Sequence, residues 1–536
     1  TTTPDAPVGD APPGSDVPMT TDGVVPADAV DDYLPPPATC SRPLLPISTT
    51  RTSTQRPTLQ FARGPGLRDT LVEVCRQRDC ADTVVSMRTT DDYLALATPL
   101  AAGVYFWRIT PRDAMGATCT SATWQFTVPP RSAPLPRTWG STLDVNGDGY
   151  ADLAVATVGA SGEVRVFHGG PMGVSETPAV VIDGLPATTA LPPVPVSAGD
   201  LDGDGFGELA IGLPAADMTS GEVRVYRGRA TGLRNAADAT LRSPDGRFGR
   251  FGVSLAGVGD IEGDGYADLV IGAPNAGATS ETETPGTPGR VYAFHGSDRG
   301  VRTTPTAMIA GPGGANGLFG GAVAAAGDVN SDRFPDVAVG ARGDGTVYII
   351  RGSALGLNLT TLVPLRDAAT TGFGARVVGA GDVDGDNRSD VVVAGNDGSG
   401  RVVVRTAGAD GMFSGAGVTL TMAGGFGRSI AAGDFNGDGF ADVAVGAPDM
   451  TAVFVYPGAM GALSSTPVAL RGAMGFGGVV ASAGDVNRDA ATDLAVGGVA
   501  GGVAVFAGTT MGAPTLMRSL SVTAAVGSLG GATCGL

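Results

Sequence analysis

The sequence predicts an all-β chain: a seven-bladed β-propeller with four-stranded blades, preceded by a small β-sandwich and a disordered N-terminal tail. Three observations lead there. Glycine supplies 85 of 536 residues and charged residues only 16%, a composition that suits many short strands joined by tight turns. A nine-residue acidic motif recurs seven times, with starts 51 to 68 residues apart. Each copy runs into a Val-, Ile- and Ala-rich stretch such as DLAVAT or DVAVGAP, followed by a strand ending in Gly (RVFHG, RVYRG) and a further apolar segment. Four strands per period of this length describe a propeller blade. A linear solenoid would use shorter units and capping repeats.

Taken in order, residues 1–39 are rich in Pro, Asp and Thr and carry few large apolar side chains. Such a segment cannot bury enough surface to offset its ordering entropy, so it reads as a disordered tether. Starting at Thr1 with a tether, the chain reads as exported after loss of a leader, with a lipid anchor upstream of Thr1 as one means of attachment. Residues 40–131 hold short alternating strands, among them DTLVEVC, GVYFWRITPRD and ATWQFTVPP. In pattern they resemble a fibronectin III or immunoglobulin-like sandwich. Cys75 and Cys80 flank a loop short enough to be bridged, and Cys40 and Cys119 would then pair, although four cysteines permit three connectivities. Disulfides imply an oxidising compartment.

Residues 132–536 form the propeller. Its motifs are DVNGDGYAD (144–152), DLDGDGFGE (200–208), DIEGDGYAD (260–268), DVNSDRFPD (328–336), DVDGDNRSD (382–390), DFNGDGFAD (434–442) and DVNRDAATD (485–493), called loops 1 to 7 below. Alternate oxygen-bearing residues followed by Gly match the start of an EF-hand loop, but position 12 is Val or Ile inside a strand where an EF-hand needs a bidentate Glu. A Phe-Gly pair precedes loops 3 to 7: Phe251-Gly252, Phe319-Gly320, Phe373-Gly374, Phe426-Gly427 and Phe476-Gly477. The final residues, SLGGATCGL, are similar to an inner strand such as LFGGAVAAAGD, so the C-terminus is expected to join the first blade and close the ring. On that alignment Cys534 matches Ala324 and is a free, buried thiol.

The Phe-Gly pair, the Gly-Asp-x-Asx-x-Asp loop and the trailing VGAP resemble the FG-GAP repeats of the integrin α-chain β-propeller. The resemblance implies a Ca²⁺ cage in each loop, up to seven in all, from the side chains at positions 1, 3, 5 and 9 and the backbone carbonyl at position 7. In loop 1 these are Asp144, Asn146, Asp148, Tyr150 and Asp152, and in loop 2 Asp200, Asp202, Asp204, Phe206 and Glu208. Loop 3 offers Asp260, Glu262, Asp264, Tyr266 and Asp268, and loop 4 Asp328, Asn330, Asp332, Phe334 and Asp336. Loop 5 offers Asp382, Asp384, Asp386, Arg388 and Asp390, loop 6 Asp434, Asn436, Asp438, Phe440 and Asp442, and loop 7 Asp485, Asn487, Asp489, Ala491 and Asp493. Hard carboxylate and carbonyl oxygens are what Ca²⁺ takes. Seven divalent ions would also offset most of the formal charge of −18. Loops 4 and 7 should bind weakest, because Arg333, Arg488 and Ala490 stand where glycine eases a positive φ.

Function follows by exclusion. A charge of −18 argues against nucleic acid, which requires basic patches, and no apolar run approaches the roughly 18 residues of a transmembrane helix. The chain has no lysine and two histidines, His168 and His295, which end equivalent strands where other repeats place Arg227, Arg351, Pro457 and Ala507. Both read as exposed strand ends. With no nucleophile elbow, P-loop or dinucleotide fingerprint, the chain is not expected to be an enzyme, and a propeller lyase or hydrolase is the remote alternative. A lectin is the nearer one, although Trp139 is the only tryptophan in the propeller. Arg342-Gly343-Asp344 reads as a chance tripeptide. The expectation is an adhesion or ligand-binding scaffold outside the cell, stabilised by Ca²⁺, whose partner is a protein or polysaccharide. Its candidate contact loop, 273–289, lies opposite the acidic loops.

Overall fold

A computed structural model describes residues 41–117, 119–131, 138–158, 162–278, 288–314, 316–395, 400–413, 417–498, 502–509, 512–522 and 526–531. The expected tether, Cys40, Cys534 and residues 279–287 of the long loop 273–289 lie outside these residues.

Strand formation follows the apolar runs. After each acidic loop comes a strand buried along its whole length, such as Glu208–Leu213 and Asp268–Ala273. Burial on both faces explains why these read as continuous apolar runs where a half-exposed strand would alternate. Seven four-stranded antiparallel sheets result, as in a β-propeller. Sheet 2, for example, runs Val194–Gly199, Glu208–Leu213, Glu222–Tyr226 and Ala239–Arg242 in that order. The first strands of the sheets together line one central cavity of about 170 Å³, walled by small and branched side chains including Val196, Leu255, Ala324, Val378, Ile430 and Ala481. The Phe of each Phe-Gly pair is buried within its sheet: Phe251 meets Tyr292 edge-on at 5.6 Å, and Phe319 meets Tyr348 at 5.8 Å. Its Gly takes positive φ, 83° at Gly252, which a side chain would resist.

The C-terminal strand Val526–Gly530 pairs with Leu153–Thr157, completing the first sheet, as expected. The register corrects the sequence alignment. Gly530 sits opposite Ala154, as Ala324 sits opposite Ala338, and both partners lie ten residues after their loop's first Asp. Gly530, not Cys534, is therefore the equivalent of Ala324. The Gly-Gly pair that suggested the alignment lies at the end of this strand, not at its start.

Residues 41–131 form two sheets. One has three strands, in the order Arg42–Leu45, Thr58–Ala62, Tyr93–Ala95; the other is built on Asp69–Cys75, Gly103–Asp113 and Trp124–Val128. Trp107 and Trp124 pack edge to face at 6.2 Å in their core. Thr138–Trp139 joins the second sheet by pairing with Thr50–Thr52. Cys75 and Cys80 are bonded to each other, and Cys119 is also in a disulfide. Residues 37–536 make up one compact unit.

Candidate metal loops and their cover

The seven loops share one hydrogen-bond plan, dictated by side-chain length. At position 1 the Asp turns both oxygens onto backbone N–H groups of its own loop. Asp144 accepts from Gly147 (2.7 Å) and Gly149 (2.8 Å), and Asp434 accepts from Asp438 (2.9 Å) and Gly439 (3.0 Å). At position 9 the carboxylate bridges two elements. Asp152 accepts from Val145 N–H at 2.8 Å and from Gly169 N–H, at the end of the third strand, at 3.0 Å. Glu208, Asp268, Asp336, Asp390, Asp442 and Asp493 repeat that clamp with Gly228, Gly296, Gly352, Ala407, Gly458 and Gly508. In six of the seven sheets this position is Gly, where a Cβ would meet the loop's backbone, at 2.2 Å in the case of Gly169 and Ala151 O; sheet 5 carries Ala407 there. The Asp at position 5 accepts from the N–H of position 7 in every copy, as Asp148 does from Tyr150 at 2.9 Å.

Position 3 divides the loops. Asn146, Asn330, Asn436 and Asn487 each accept from the N–H of position 5 and donate back to its carboxylate. Position 3 is an acid in loops 2, 3 and 5: Arg227 lies 2.5 Å from Asp202, and His295 Nδ1 lies 2.5 Å from Glu262 Oε1. In loop 5 Arg388 pairs instead with the position-5 acid, Asp386, at 2.7 Å. His295 is thus a partly buried partner of loop 3, not an exposed strand end, because the third strand ends against position 3.

The backbone does not distinguish strong loops from weak ones. Ser331, Arg333, Arg488 and Ala490 take φ of 69°, 81°, 60° and 73°, beside 67° and 87° for Gly147 and Gly149. Loops 4 and 7 hold the same shape under strain.

Carboxylates at positions 1 and 9 are buried in every sheet except for Asp382 and Asp485, which are partly exposed. Burial, reinforced by Asp148, pushes Asp144 up to about 6. Burial reinforced by Asp489 does the same for Asp485, and burial, reinforced by Asp202, pushes Asp204 to about 7. Asp260 is raised to about 7, mainly by burial. Anionic oxygens crowded away from water call for a cation. In loops 2 and 5 the oxygens of positions 1, 3 and 9 (Asp200, Asp202, Glu208 and Asp382, Asp384, Asp390) converge within 4.8 Å; in loop 3 Glu262, Asp268 and His295 do so. These clusters could hold a metal ion, and all-oxygen sets suit a hard cation.

Sequence reasoning did not find what covers the loops. Arginines mediate much of the contact with residues 41–131. Arg78 donates to Gly147 O at 2.6 Å and lies over the Phe206 ring at 4.2 Å. Arg42 donates to Asp264 O and covers Tyr266, while Arg131 covers Phe440 and reaches Gly385 O. Arg488, inside loop 7, lies over Tyr150 and donates to Val104 O. Trp124 Nε1 donates to Gly203 O at 2.9 Å. The paired loop glycines therefore serve a second purpose: a Cβ on Gly205 would meet Thr123 O at 2.2 Å, and one on Gly439 would meet the Arg131 Cβ at 2.4 Å. No periodic signal marks these arginines. Asp344 of the RGD tripeptide is turned inward; a Cβ on Gly313 or Gly317 would collide with its carboxylate.

Comparison with known proteins agrees with the loops. Residues 144–211, 328–393 and 382–445 match the FG-GAP-like repeat family, and 196–230 and 251–294 the FG-GAP repeat family. The chain carries FG-GAP repeats. They are similar to segments of integrin α-chains. One is integrin alpha-PS5 of Drosophila melanogaster, 34% identical over 29% of this chain and 15% of that protein; another is integrin alpha pat-2 of Caenorhabditis briggsae, 40% identical over 24% and 10%. Human integrin alpha-IIb is 33% identical over 29% and 15%. The matches thus span a small part of each relative. Among solved structures, a rhamnogalacturonan lyase of Bacillus licheniformis aligns over 87% of this chain and 91% of its own with 13% identity and a TM-score of 0.41, too loose a likeness to argue from. Among the described residues no helix is long and apolar enough to cross a membrane.

Proposed function

We propose that the chain is a recognition module of an exported protein: a closed, seven-bladed propeller stabilised by Ca²⁺ and capped by a fibronectin III- or immunoglobulin-like sandwich. One observation carries the reading. In every repeat the position-9 carboxylate ties the acidic loop to the end of the third strand, so an ion held there braces strands whose glycine content makes them entropically weak. The ion would supply charge neutralisation; the protein's own groups hold the loop in shape. Because residues 41–131 cover the loop face, an external protein or polysaccharide would meet the opposite face, through the loops joining second and third strands. Catalysis is no part of this proposal.

The test is binding of the full chain to an array of glycans, matrix proteins and envelope fractions, with Ca²⁺ and then with chelator. A saturable signal that chelation weakens supports the reading. Competition by free sugar would redirect it to a lectin, turnover to an enzyme, and a blank array would remove the recognition claim.

A further inference from the structure

Arg42, Arg78 and Arg131 meet the loops through backbone carbonyls and ring faces. Arg51 is different. Its guanidinium lies 3.1 Å from Asp434 Oδ2, and the two side chains are 5% and 0% exposed. Asp434 holds position 1 of loop 6, and its oxygens already accept from Asp438, Gly439 and, with Arg51 added, a charged donor. In loops 2 and 5 an arginine also pairs with a loop acid, but those loops have four carboxylates each, so pairing with Arg227 or Arg388 leaves a formal charge of −3. Loop 6 has Asn436 at position 3 and only three carboxylates, so Arg51 lowers it to −2. A guanidinium cannot shed its proton, and this one is too buried to retreat into water. A divalent ion among Asp434, Asp438 and Asp442 would have to sit beside it in a medium of low dielectric.

We propose that Arg51 is the resident counter-cation of loop 6, and that this loop takes no divalent ion while residues 41–131 are docked. The inference rests on the reading that the other loops bind Ca²⁺. It makes a loop that keeps both glycines of the motif the empty one, and makes its charge balance depend on a residue outside the repeat.

The experiment counts Ca²⁺ ions per folded full-length chain by equilibrium dialysis with elemental analysis, with folding checked by circular dichroism. Asp144→Asn should lose one ion, Asp434→Asn should match the wild type, and Arg51→Ala should gain one. Should Arg51→Ala fail to fold, Asp434→Asn still decides. An Asp434→Asn chain that loses an ion as Asp144→Asn does, or a folded Arg51→Ala chain with no added ion, overturns the inference and leaves the calcium reading standing. A wild-type chain that binds no Ca²⁺ overturns both.

Discussion

Loops 2 and 6 have the same glycines at positions 4 and 6 and the same Asp-Gly-Phe turn, yet they neutralise their carboxylates from different sources. In loop 2 the cation is Arg227, at the end of a strand of the same sheet. In loop 6 it is Arg51, 383 positions away in sequence and outside the repeats. A repeat can therefore tune its charge locally, where the tuning travels with the motif, or borrow it from a neighbour, where the motif gives no sign of it.

The largest expected effect tests what the two loops share. Glu208 accepts from Leu201 and Gly228, and Asp442 from Phe435 and Gly458. Removing either carboxylate leaves two buried N–H groups without partners, at ~1–3 kcal/mol each. Glu208→Ala and Asp442→Ala should each cost about 4 kcal/mol in urea unfolding of the metal-free chain. A loss under about 1 kcal/mol in either would show that the clamp does not hold that sheet.

Next come the two cations. Arg227→Ala leaves Asp202 uncompensated and Arg51→Ala leaves Asp434 so, each a buried charge whose isolation costs ~3 kcal/mol. Added Ca²⁺ should restore most of the stability in both variants. Only Arg51→Ala should also speed proteolysis between residues 41–131 and the first sheet, because of the two pairs only Arg51–Asp434 joins residues 41–131 to the repeats. Equal protease sensitivity would erase the distinction.

The pH response of the metal-free chain is a smaller effect. Asp144 and Asp485 at about 6, and Asp204 and Asp260 at about 7, lie above the unfolded value of 3.8. The folded chain then binds protons more tightly than the unfolded one. The stabilisation is fully present below 3.8 and is lost as pH rises through the folded values of about 6 to 7. Between about pH 8 and about pH 5.5 the melting temperature of the metal-free chain should rise on acidification. With Ca²⁺ the slope should reverse, since protons and metal compete for the same oxygens. Parallel slopes would mean that the loops bind no ion over that range.

The repeat was legible because its physics is local. Position 9 reaches its own strand end, glycine marks close backbone approach, and the apolar runs set the buried strands, so seven sheets and their acidic loops could be read from 144–536. Three features could not. The register of Val526–Gly530 hung on a Gly-Gly pair that occurs at either end of an inner strand. His295 looked exposed because its partner, Glu262, belongs to a loop 33 residues earlier in the chain. Arg42, Arg51, Arg78 and Arg131 are scattered through an aperiodic domain, where an arginine that snorkels to solvent and one that plugs a loop have the same neighbours in sequence.

The smallest effect separates strain from function in the loops that depart from the motif. Ala490 holds φ at 73°, a conformation that costs an L-residue roughly 1–2 kcal/mol, yet its N–H still donates to Asp485 at 2.9 Å. Glycine would keep that bond and remove the clash, at the cost of greater freedom in the unfolded chain. Ala490→Gly should therefore stabilise by about 0.5 kcal/mol, seen as a small rise in urea midpoint with an unchanged slope. The same change at Arg488, whose φ is 60°, should fail to stabilise. There the side chain also covers Tyr150 and donates to Val104 and Arg76 carbonyls, so relief of strain is spent against lost contact with residues 41–131. If both glycines stabilised equally, Arg488 would contribute nothing to docking, and the departure of loop 7 from the motif would be strain alone.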